Sequence, residues 1–77
     1  MEFEPKKVAE IAKAYFELKQ SQDCFYCLDF EHRRHTAWEV KQKLVHYLAT
    51  VPDEIRTDLD IDVSKLEVAI LKAQSRN

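Results

Sequence analysis

TAWEVKQKLVHYLATV, residues 36–51, is the stretch whose reading decides the fold. At about 100° per residue, Val40, Leu44, Tyr47, Leu48 and Val51 fall on one face, and Ala37, Trp38 and Val45 widen it. The apolar arc spans roughly 180°, wider than the roughly 100° that a single core-facing stripe needs. A helix this wide is expected to be central and to meet more than one neighbour. Thr36 with Glu39 three residues later reads as a capping box at its start. Pro52 marks its end, because proline disfavours helical geometry at Val51.

Working outward, Pro5–Gln20 carries Val8, Ile11, Ala12, Tyr15 and Leu18 at helical spacing, with Phe16 beside the stripe. Pro5 suits the first helical position, with Glu4 near the positive end of the helix dipole. Lys13 and Glu17 stand four apart on the polar side. Residues 1–4 read as a short leader. Residues 21–35, SQDCFYCLDFEHRRH, hold a short apolar run too brief for periodicity to assign. An irregular or partly helical connection with buried aromatics is expected there. After the central helix, Pro52-Asp53-Glu54-Ile55 predicts a short helical turn near 52–58, with proline at N1 and Ile55 and Leu59 as anchors. Val63, Leu66, Ile70 and Ala73 predict a last helix over 63–75, capped by Asp62 or by Ser64 in a box with Glu67. Val68 and Leu71 lie well off that stripe, and the tail from Gln74 is expected to fray.

The fold class expected is therefore all-α. It is one domain, a small three-helix bundle with helices at about 5–20, 36–51 and 63–75. The composition agrees. Glycine is absent from all 77 residues, which disfavours tight hairpins, phosphate-binding loops and dinucleotide-binding turns. A hydrophobic fraction of 45% with 34% charged residues is that of a folded domain. The net charge of −2 offers no basic surplus for coating nucleic acid. No apolar run approaches the ~18 residues of a membrane span, and the acidic start is unlike a signal peptide, so a cytoplasmic protein is expected.

Two cysteines three residues apart do not make a secreted disulfide scaffold. Cys24-x-x-Cys27-x4-His32-x-x-His35 does present the ligand types that zinc prefers, and a structural zinc would help so short a chain. The twelve-residue span lacks the glycine turns on which short zinc knuckles rely. The alternative is that the cysteines are small buried apolar residues and the histidines surface groups, with no cofactor. A redox role for the cysteine pair lacks the strand–helix context it needs. Arg33 and Arg34, with Lys41, Lys43, Trp38 and Phe30 near in sequence, form a candidate anion or nucleic-acid site. Asp29 and Glu31 directly upstream weigh against it. Asp58, Asp60 and Asp62 begin like a calcium loop, but Val63 and Ala69 stand where that loop needs Gly and Glu. An acidic, solvated approach to the last helix is expected instead. His32, His35, His46 and Glu31 form no nucleophile–base pair, so no enzymatic activity is expected.

Two of the three helices carry more apolar surface than one small core covers. The function expected is a non-catalytic interaction or regulatory module, a homodimer or the partner of another protein. Its interface would be built on the off-stripe residues Trp38, Val45, Val68 and Leu71.

Overall fold

The computed structural model describes residues 4–75. Among them are four helices and no strand: α1 (Pro5–Cys27), α2 (Phe30–Thr50), the single turn α3 (Asp53–Arg56) and α4 (Val63–Gln74). The expectations for residues 1–3, 76 and 77 lie outside the described residues. The all-helical class holds, with three long helices, but two of the expected helices are longer than their sequence signals suggested.

Helix α1 runs into the segment expected to be irregular or partly helical, and ends at Cys27 rather than Gln20. Its buried side chains are Ile11, Ala14, Leu18, Gln22 and Phe25. That spacing, three or four residues at each step, is one continuous helical stripe. Val8 is more than half exposed, so the stripe is rotated toward Ala14 from the expected one. Glu17 pairs with Lys43 of α2 at 3.6 Å rather than with Lys13.

Helix α2 begins at Phe30, six residues before Thr36. Asp29 is its N-cap, accepting from the His32 backbone N–H at 2.9 Å. Thr36 therefore sits inside the helix, and its hydroxyl donates back to the His32 carbonyl at 3.0 Å. The expected Thr36–Glu39 box is replaced because Asp29 offers an equally good cap about two turns earlier. Ala37, Val40, Leu44, Tyr47 and Val51 are buried and Leu48 is half-buried, as the periodicity predicts.

Only Leu28 and Asp29 separate α1 from α2, so the two form an antiparallel hairpin. A 23-residue helix is about 34 Å long, and the hairpin gives the molecule its 46 × 17 × 17 Å extents. The corner is made without glycine. No described residue has positive φ, and the C-caps Leu28 and Val51 are both extended. The exposed carbonyls are met by arginine instead. Arg33 donates from Nε to the Phe25 carbonyl at 3.1 Å and from Nη2 to the Tyr26 carbonyl at 2.8 Å. Its guanidinium also lies 5.6 Å from the Phe25 ring centroid. At the far end of α2, Arg56 donates to the Leu48 carbonyl at 3.2 Å and pairs with Asp53.

Helix α4 packs on α2. Asp62 is its N-cap, accepting from the Lys65 N–H at 3.0 Å, so the Ser64 alternative is not used. Leu66, Ile70 and Ala73 are buried as expected, and Val63 is half-buried. Pro52 occupies the cap of α3 rather than its first position, and Ile55 and Leu59 anchor that turn against the core. The Tyr47 hydroxyl is buried with no hydrogen-bond partner among the described residues.

Two stability outcomes follow from these contacts. Arg33→Met keeps much of the apolar stem and removes the guanidinium from two carbonyls at a helix end. It should cost about 1–2 kcal/mol, a fall of roughly 5–15 °C in Tm. Arg33→Lys should recover only part of this, because an ammonium lacks the planar fork. Calorimetry that finds Arg33→Met as stable as the parent would show that the arginine cap does not hold the corner. Tyr47→Phe deletes an unpaired buried hydroxyl and should leave urea stability unchanged or raised by up to about 1 kcal/mol. A clear loss would show that the hydroxyl has a partner.

Candidate interaction surface

The residues with chemical potential divide by whether the fold already uses them. Cys24 and Cys27 are free thiols exposed on the last turns of α1, not buried filler. His32 and His35 are exposed in the first turns of α2, and His32 Nδ1 lies 2.8 Å from Asp29 Oδ1. That contact occupies one imidazole nitrogen. Among the described residues no three His, Cys, Asp or Glu side chains are grouped so as to hold a metal ion. The Cys24, Cys27, His32 and His35 spacing is thus not converted by the fold into a gathered donor set.

Arg33 and Arg34 are likewise separated in use. Arg33 is half-buried and committed to the α1 carbonyls, whereas Arg34 is exposed. Neighbouring residues on a helix point about 100° apart, so the two do not form a paired clamp. Sequence reasoning missed the capping role of Arg33. The signal was present: an arginine a few residues after a helix end that has no glycine to close it.

The acidic run stays exposed, as expected, but Asp60 and Asp62 also make contacts within the fold. Asp62 caps α4. Asp60 accepts from the Tyr15 hydroxyl and pairs with Lys19 at 3.1 Å, and Lys19 reaches Asp23 at 3.9 Å. These contacts latch the segment before α4 onto the middle of α1. The Tyr15 bond, then the Lys19 bond, holds the Asp60 carboxyl below its ordinary range. The same carboxylate raises the Tyr15 phenol and the Lys19 ammonium.

The fold also leaves large apolar side chains on the surface. Trp38 (64% exposed), Val45 (53%), Val68 (50%) and Leu71 (65%), the four expected interface residues, all lie on the surface. Val45 and Leu71, from different helices, line one groove between α2 and α4. Half-buried Leu48 lies on its floor, and Lys41 and Glu67 stand at its sides. Trp38 precedes Val45 by seven residues and so shares its face of α2. Val68 lines a different groove, between α4 and the hairpin corner. Phe30 is also more than half exposed there, and Phe16 is exposed on α1. Among the described residues no helix is long and apolar enough to cross a membrane.

A pH dependence follows from the latch. A depressed folded-state pKa contributes stability that is present above the ordinary carboxylate value of about 3.9 and is lost as pH falls through the lower folded value. Urea midpoints should therefore drop on acidification below about pH 4, and Asp60→Asn should flatten that drop. Some acid sensitivity should persist through Asp29, which the His32 backbone N–H holds low in the same way. An identical acid response in Asp60→Asn would mean that the latch does not contribute.

With the grooves and the committed charges in view, the comparisons add no relative: no family model, no curated protein and no solved structure matches this chain.

Proposed function

We propose that the protein is a non-catalytic interaction module that self-associates through the outer faces of α2 and α4. The observation that carries this reading is the groove in which Val45 and Leu71 meet from two helices, both more than half exposed. Single exposed apolar residues are ordinary on any surface. Apolar side chains gathered in one groove from two elements are what a docking site needs. Trp38 extends the patch along α2, and aromatic anchors of this kind dominate interface energetics.

The charges beside the groove favour a second copy as the occupant. Lys41 stands on the α2 side and Glu67 on the α4 side. In a two-fold interface each protomer offers both, so Lys41 of one copy meets Glu67 of the other, twice. Association would also relieve the thin core of a 77-residue chain. Two exposed free thiols suit a reducing compartment, which supports the cytoplasm as the setting.

Analytical ultracentrifugation tests the reading. Leu71→Glu should yield a monomer with unchanged far-UV circular dichroism, because Leu71 is 65% exposed and contributes little to the fold. Lys41→Glu should weaken association, and Lys41→Glu with Glu67→Lys should restore it. A Leu71→Glu dimer of parental affinity would refute the interface.

A further inference from the structure

The second groove differs in chemistry from the first. Tyr26, Phe30 and Arg33 at the hairpin corner form one wall, and Lys65, Val68 and Lys72 of α4 form the other, with alanines between them. Three cations line it and no carboxylate does. Asp62 and Asp29 lie outside its lining, where Asp62 caps α4 and Asp29 caps α2 and holds His32. Lys65 lies 5.4 Å from the Tyr26 ring centroid, which fixes one ammonium above an aromatic wall. Two of the five Arg33 N–H groups face the carbonyls of α1, leaving others for an incoming oxygen. Phe30 and Val68 are each half or more exposed, so an apolar surface is continuous with the positive charge.

We propose that this groove binds an acidic peptide segment of a partner protein, with an aromatic or aliphatic side chain of the peptide set between Phe30 and Val68 and its carboxylates met by Lys65, Lys72 and Arg33. Charge complementarity selects the occupant. A groove that is wholly cationic in its ionised groups, on a chain of net charge −2, attracts anionic partners locally without doing so everywhere. The apolar floor distinguishes a peptide from a nucleic acid. A phosphodiester backbone wants a long track of free cations, whereas here only three cations stand around alanines, Phe30 and Val68. The groove lies on the opposite flank of α4 from the Val45–Leu71 patch, so it operates whether or not the protein self-associates.

The test is fluorescence anisotropy with a labelled synthetic peptide rich in Glu and carrying one central Phe. The comparison probes are the same peptide with Lys in place of Glu and a uridine oligonucleotide. The acidic peptide should bind saturably, and roughly tenfold more weakly once salt brings the Debye length to about 8 Å. Lys65→Glu with Lys72→Glu should weaken it at least about tenfold with unchanged circular dichroism. Val68→Asp should weaken it as well. Leu71→Glu should bind it like the parent, which separates this groove from self-association. Absence of saturable binding, parental binding by the double variant, or preference for the oligonucleotide or the basic peptide would each overturn the proposal.

Discussion

The guanidinium of Arg33 is the contact on which the hairpin depends. A helix that ends leaves carbonyls without intrahelical donors, and the common solution is a glycine in the left-handed region that folds the chain back over them. This chain has no glycine. The C-caps Leu28 and Val51 stay extended, and donors are brought from the next element instead. Arg33 reaches back to the last turn of α1, and Arg56 reaches back to the last turn of α2. One side chain thus closes the end of one helix and fixes the entry of another. The two-residue connection is short enough for this, and α2 is delivered antiparallel onto α1 as a result.

From that corner, the rest is a matter of where α2 spends its wide apolar face. One flank packs on α1 and another on α4. Two partners still do not cover it: Trp38 and Val45 remain outside, and α4 adds Val68 and Leu71. The latch of Asp60 onto Tyr15 and Lys19 ties the approach to α4 onto α1. Polar contacts thus organise the ends and crossings, while part of the unspent apolar surface lines two grooves flanking α4.

The legible part of this architecture was its periodicity. The α2 stripe, the α4 stripe and the exposed off-stripe residues follow from spacing alone. The boundaries of α1 and α2 did not, for two reasons. Gln22, the buried member of the α1 stripe between Leu18 and Phe25, is polar, so the apolar pattern stops short of the helix end. Thr36 and Glu39 have the spacing of a capping box but lie mid-helix, because Asp29 caps first. The apparent chemical motifs misled in a related way. Arg33, Asp60, Asp62 and His32 look available in a linear reading, and each is held by a contact to a neighbouring turn or a different element. A one-dimensional pattern carries the period of a helix but not the partner of a charge.

The uniformly negative φ of the described backbone also bears on the state the protein leaves when it folds. An average chain carries about 7% glycine, about five residues at this length. Replacing a glycine by a residue with a Cβ, where the native geometry permits, removes about 0.4–1 kcal/mol of unfolded-state freedom per position. A glycine-free chain of this length therefore begins folding from an ensemble narrower by about 2–5 kcal/mol. Net stabilities of small domains are about 5–15 kcal/mol, so the effect is comparable to one or two buried apolar side chains. Part of what holds this small fold together is thus a restriction on its disordered alternatives, invisible in any contact of the folded molecule.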